Sequence, residues 1–221
     1  MSATLDELMN SGLRKEAVEA VTQHEEPAHV QEQPKLTPDE AADQLARSLP
    51  GHRVEILRGR VTATPPADGT HALALSWLGE EFGARARTSG LRLVQGVALW
   101  LPTGPEDYAI PDLSVVEADI KDAHVMKNCY AAHVFRMVVE VTSTNWADDL
   151  GPKVEDYAQA GIPVYVVADR KHDQVLLCTD PRGGEYKNKA HHKRGTSFTV
   201  PDVVGVEMKL SVDRLLDGDE D

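Results

Sequence analysis

Cys129 and Cys178 are the only cysteines. They are too few for a disulfide framework, and no Cys-x-x-Cys pair offers zinc-ligand spacing. No apolar run approaches the roughly 18 residues of a membrane-spanning helix. The opening Met1-Ser2-Ala3-Thr4-Leu5-Asp6-Glu7 has neither the basic nor the apolar region of a secretory leader. We therefore expect a protein of the reducing cytoplasm with no membrane association. Positive charge is scarce: 23 Lys and Arg stand against 36 Asp and Glu, a formal net charge of −13. That disfavours a non-specific nucleic-acid coat, which needs Lys and Arg. It leaves room for a local basic patch or a metal-bridged phosphate. No Ser-His-Asp or Cys-His arrangement stands out. Gly151-Pro152-Lys153 lacks the upstream glycine and the following Ser or Thr of a phosphate-cradling loop. No internal repeat is visible.

The 221 residues, 41% of them hydrophobic, suffice for one domain with a sizeable core. Residues 1–36 read apart from the rest. A short amphipathic stretch with Leu5, Leu8, Met9 and Leu13 leads into a polar, aperiodic segment around Pro27 and Pro34. We expect an N-terminal extension and linker over 1–36 and one domain over 37–221. Thr37-Pro38-Asp39-Glu40 is a helix start with a capping box and Pro at the first helical position. Pro50-Gly51 ends that helix. Residues 52–57 and 60–64 read as a hairpin turning at Arg58-Gly59. Residues 70–88 read as a helix, 91–101 and 108–116 as strands, and 118–133 as a polar loop. An apolar strand follows over 135–142, then a helix over 149–160. Strands are expected over 164–168, 174–179, 185–189, 196–200 and 205–210, and a last helical turn over 212–216. Helices alternating with strands imply an α/β fold with a mixed sheet.

One residue breaks the apolar run Phe135-Arg136-Met137-Val138-Val139-Glu140-Val141-Thr142. A buried carboxylate is costly unless it is paired or holds a metal. A second acid, Asp112, follows Pro111 at the start of another apolar stretch. Lys153 follows Glu140 in the next helix. Two strand acids and a lysine are the residue types that phosphodiester hydrolysis uses. Hard divalent cations take oxygen ligands, offset phosphate charge and activate water. An ammonium group steadies the pentavalent phosphate.

The Pro-Asp strand paired with a later strand acid is the pattern of the PD-(D/E)XK nucleases. Within that superfamily the chain resembles the Uma-type family of restriction endonucleases, from about Pro38 to Leu216. The resemblance rests on Val138-Val139-Glu140-Val141-Thr142-Ser143 and on the stretch from Asp149 to Asp169. In that stretch Lys153 precedes Tyr157 by one helical turn, and Ala160-Gly161-Ile162-Pro163 leads into an apolar strand. Val54-Glu55-Ile56-Leu57 resembles the family's early glutamate-bearing hairpin. The resemblance implies a restriction-endonuclease-like fold and cleavage of nucleic acid, with DNA as the substrate and Mg²⁺, or Mn²⁺ in its place, as cofactor. It implies Glu55, Asp112 and Glu140 as metal ligands, joined by the Val141 carbonyl. The catalytic set is Asp112, Glu140 and Lys153. The superfamily's usual strand lysine falls at Thr142 here, so Lys153 takes its place. A homodimer is expected, because two-fold pairs dominate soluble assemblies and duplex cutting needs two sites.

Each residue also has a plainer role. Glu140 can be a buried acid paired with an arginine, Asp112 a turn former, Glu55 a solvated hairpin residue and Lys153 an exposed helix lysine paired with Asp149 or Asp156. Tyr157 reads as packing, Asp169 as a turn former, and His71 as a capping or surface residue, with a place at the site entrance as its alternative. Gln95 could point from mid-strand toward the site. The basic segment Lys187 to Arg194, with His191 and His192, reads as a solvated hairpin tip or a phosphate contact. The competing function is a catalytically inactive interaction protein that keeps the nuclease fold. The charge of −13 and the lysine missing at position 142 favour it.

Overall fold

The computed structural model describes residues 36–143 and 146–219. The expected extension before Leu36 lies outside the described residues. Helix α1 (Pro38–Ser48) begins as expected. The Thr37 hydroxyl accepts from Glu40 N–H, and the Glu40 carboxylate accepts from Thr37 N–H. Strands β1 (Arg53–Leu57) and β2 (Arg60–Thr64) form the expected hairpin. Its two-residue turn holds Arg58 at φ 52° and Gly59 at φ 73°, the left-handed pair that matches strand twist.

Helix α2 (Gly69–Thr88) follows, capped by the Asp68 side chain. Next come β3 (Leu91–Val94), β4 (Ala98–Trp100), β5 (Tyr108–Ala109) and β6 (Leu113–Glu117). The expected strand over 91–101 is broken by a bend at Gln95-Gly96, where Gln95 is exposed and cannot face a buried site. The expected strand over 108–116 is also two strands, lying in different sheets. Pro111 has no N–H to give a ladder, and Ile110 to Asp112 carry the chain from one sheet to the other. The loop expected over 118–133 contains β7 (His124–Met126), β8 (Cys129–Tyr130) and short 3₁₀ turns.

Strand β9 (Phe135–Val141) is buried along nearly its whole length. The expected helix over 149–160 is a pair: α3 (Trp146–Leu150) and α4 (Pro152–Gln159). They separate at Gly151, where a Cβ would lie 2.8 Å from the Ala147 carbonyl oxygen. Strands β10 (Val164–Asp169), β11 (Gln174–Arg182) and β12 (Glu185–Lys193) follow. Then come the hairpin β13 (Ser197–Val200) and β14 (Met208–Ser211), and helix α5 (Val212–Asp217). His191 and His192 lie within β12, not at a hairpin tip.

The central sheet has the order β12-β11-β10-β9-β6-β3. It is mixed: β9 and β10 run parallel, and their neighbours pair antiparallel. One face packs against α2 and α5 through residues such as Phe82, Met137, Val166 and Leu215. The other face packs against α4 and a second sheet of order β2-β1-β5-β4-β8-β7, through Leu99, Val138, Tyr157 and Tyr165. Glu140 shares parity with Val138, so it projects to this second face.

Candidate active site

The two sheets and α4 bring four carboxylates and two cationic side chains into one buried pocket. Glu55 comes from β1, Asp112 from the inter-sheet joint, Glu140 from β9, Asp149 from α3 and Lys153 from the first turn of α4. Glu140 and Lys153 are 0% exposed, Glu55 1%, Asp149 2% and Asp112 8%. The solvated hairpin role for Glu55 and the exposed helix role for Lys153 are therefore overturned. Their neighbouring strand and helix residues are apolar and pull them into the core with them.

Lys153 sits at the centre. Its Nζ lies 2.8 Å from Glu140 Oε1, 3.1 Å from Glu55 Oε1 and 3.3 Å from Asp149 Oδ1. Tyr157, one turn along α4, donates its hydroxyl to Glu140 Oε1 at 3.0 Å. Tyr157 thus does more than pack. The break at Pro111 supplies further donors. Ile110 N–H donates to Glu55 Oε1 at 2.7 Å, and Asp112 N–H to Glu140 Oε2 at 3.3 Å. Asp112 Oδ2 accepts from Val141 N–H at 2.8 Å and lies 3.3 Å from His71 Nε2.

Arg53 closes the outer side. Its guanidinium is ion-paired with Asp112 Oδ1 and lies 4.0 Å from Glu140 Oε2. Sequence reasoning missed Arg53 and preferred a capping or surface role for His71 over a place at the site entrance. His71 is 4% exposed with its ring on Asp112. The capping is done by Asp68, whose carboxylate accepts from His71 N–H. Thr142, at the position of the absent lysine, fastens the ends of β9 and β10. Its hydroxyl donates to the Ala168 carbonyl and accepts from Arg170 N–H. Asp169 is a turn former as expected, holding His172 and Gln174.

The electrostatics follow from a shortage of positive charge. Four carboxylates, Glu55, Asp112, Glu140 and Asp149, face Arg53 and Lys153. Burial pushes Glu140 up to about 8, with Lys153 opposing and Asp112 adding to the rise. Burial likewise pushes Asp149 up to about 6. Asp112 goes the other way. Burial alone would raise it, but the His71 hydrogen bond and the Arg53 charge hold it below the usual carboxylate range. Burial works against the Lys153 charge, yet Glu140, Glu55 and Asp149 together hold its pKa well above the ordinary value.

The donor chemistry fits a hard divalent cation. Asp112 Oδ1 and Glu140 Oε2 both turn toward one cationic group, now the Arg53 guanidinium. Glu55 Oε1 is occupied by Ile110 N–H and Lys153. Among the described residues no three acidic, His or Cys side chains form a ready-made cation cluster.

No curated protein matches the chain. A crystal structure described as a putative nuclease belonging to DUF820, from Anabaena variabilis, superposes with a TM-score of 0.60. It is 15% identical, and the match covers 82% of this chain and 98% of that one. That likeness fixes the fold as restriction-endonuclease-like. The family model described as Uma2, putative restriction endonuclease, matches residues 39–213. With most of its length so matched, the chain belongs to the Uma2 family, and that membership supports a nuclease function in general.

Proposed function

We propose that the protein is a divalent-metal-dependent endonuclease acting on DNA, with Mg²⁺ as cofactor and Mn²⁺ as a working substitute. The observation that carries this reading is the charge balance of the pocket. Fully ionised, the four buried carboxylates exceed the two fixed cations by two negative charges, an excess that the metal-free pocket relieves by raising Glu140 and Asp149. One divalent cation offsets that excess. Asp112 and Glu140 hold it, and Glu55 is the third acid of the set. The chemistry such a cation supplies is neutralisation of phosphate charge and activation of water. Lys153 keeps its proton and presents an ammonium beside Glu140. There it steadies negative charge developing on the phosphate. Tyr157 and the Asp112 N–H fix the Glu140 carboxylate so that its two oxygens serve different partners. A two-fold homodimer gives a duplex cutter its second site.

The Arg53–Asp112 ion pair favours the competing reading, an inactive interaction protein, because an internal cation already serves Asp112. One experiment decides between them. Duplex DNA is incubated with wild type, Asp112→Asn and Glu140→Gln under EDTA, Ca²⁺, Mg²⁺ and Mn²⁺, with cation binding followed by calorimetry. Cleavage by wild type alone, in Mg²⁺ and Mn²⁺ only, is expected. Absence of both cation binding and cleavage in wild type would establish the inactive protein.

A further inference from the structure

The edge strand β12 places Lys189, His191 and Lys193 opposite Cys178, Leu176 and Gln174 of β11. Directly opposed residues share a sheet face. Leu176 and Cys178 pack in the cluster that holds Val138, Val154 and Tyr157, so the three basic side chains project on the face that carries Glu140. All three are exposed.

A groove of about 380 Å³ runs beside them, lined by Leu150, Val154, His172, Leu176, Lys189 and His191 among others. Val154 lines this groove while its neighbour Lys153 faces the acidic pocket. The groove and the pocket therefore lie on either side of the first turn of α4. At the strand-end side, Lys171 stacks its ammonium 3.4 Å from the Trp146 ring centre.

The acids around this strip are already engaged. Glu155 pairs with Arg58, although its charge also feels Lys189. Asp173 pairs with Arg194, Glu185 with Lys187, and buried Asp169 with His172. Among the described residues, Lys171, Lys189, His191 and Lys193 form no carboxylate ion pair. Lysines on an edge strand also guard against edge-to-edge pairing. That role does not require Lys189 and His191 to line one groove beside the acidic pocket.

We propose that Lys171, Lys189, His191 and Lys193 form a rail that binds backbone phosphates of duplex DNA leading away from the Asp112–Glu140 pocket. The proposal rests on the nuclease reading. Strand β12 lies three strand spacings from β9, about 14 Å. That equals about four base steps along one DNA strand. In a chain of net charge −13, such a local rail supplies the phosphate contact that the overall charge opposes.

The test is a polarisation titration of labelled duplex and single-stranded DNA in Ca²⁺ across a salt series. The proteins are wild type, Lys189→Ala/Lys193→Ala, the charge-reversed Lys189→Glu/Lys193→Glu, and Lys121→Ala as an exposed control. Duplex affinity of the double-alanine variant should fall roughly tenfold at low salt, and its salt slope by about 1.8, or 0.9 per lost phosphate contact. Lys121→Ala should match wild type, and Ca²⁺ affinity should hold in every variant. An unchanged slope while wild type binds and cleaves duplex overturns the rail and leaves the nuclease standing. A loss on single strands alone overturns the duplex assignment. A wild type that neither binds nor cuts DNA in any metal sinks the nuclease and the rail together.

Discussion

Lys153 Nζ and Glu140 Oε1 lie 2.8 Å apart, and both residues are fully buried. The pair differs from a simple ion bridge because Glu55 and Asp149 also lean on the same ammonium. Lys153 is thus both the proposed phosphate-steadying group and the main internal counter-charge. Breaking a buried pair by removing one partner costs about 3–5 kcal/mol. Lys153→Met should lower the thermal midpoint clearly in EDTA and regain part of it in Ca²⁺. Cleavage in Mg²⁺ should fall at least about 100-fold. Retained cleavage by the folded variant would remove Lys153 from the chemistry.

Arg53 competes with any cation for Asp112 Oδ1 and Glu140 Oε2. Arg53→Met should therefore tighten Ca²⁺ or Mn²⁺ binding by about tenfold, worth about 1.4 kcal/mol. Calorimetric titration at pH 8 measures it. Equal affinity in wild type and variant would place the cation away from the Arg53 side.

Much of this pocket was legible in the chain. Glu140 betrays itself because a carboxylate interrupts valines on a strand too apolar to be exposed. Lys153 entered through the family resemblance, which moves the lysine absent at Thr142 to the following helix. Arg53 left no such mark, and His71 only the faint one of a histidine opening a helix. Arg53 begins a short strand next to His52, where a charged residue reads as an ordinary exposed end. His71 sits in a helix first turn, and only long-range packing aims its ring at Asp112. The run from Tyr108 to Val116 reads as one strand because it is apolar on both sides of Pro111. That proline moves the chain between sheets and turns two backbone N–H groups onto Glu55 and Glu140. Local periodicity carries no record of which sheet a strand joins.

The capping box of α1 is made by Thr37 and Glu40 alone. Helix α1 needs nothing before Thr37 to close its first turn, and Ala42 buries against β1. A chain that starts at Leu36 should fold and keep its thermal midpoint within about 3 °C, the shift that roughly 1 kcal/mol produces at this size. Calorimetry of the truncated and full chains checks this. A collapse of the truncated chain would assign residues 1–35 a structural role. Thr37→Ala in the truncated chain should cost about 1 kcal/mol, the usual worth of such a cap.

Stability of the metal-free protein should depend on pH with a definite sign. Glu140 is raised from 4.5 to about 8 and Asp149 from 3.8 to about 6. The folded state therefore binds more protons than the unfolded state between about pH 4 and pH 8, and stability falls as pH rises through that window. Asp112 has the opposite sign. Its contribution is present above 3.8, the unfolded value, and is lost as pH falls further. The metal-free thermal midpoint should thus peak in mild acid and decline toward pH 8. A divalent cation stabilises the folded state only where the acids are ionised, by the mass-action relation between ligand concentration and affinity. The midpoint gain from Ca²⁺ should be near zero at pH 5 and grow steadily to pH 8. Glu140→Gln removes the largest titration and should flatten both curves. A Ca²⁺ gain that is equal at pH 5 and pH 8 would show that the cation binds somewhere other than this pocket.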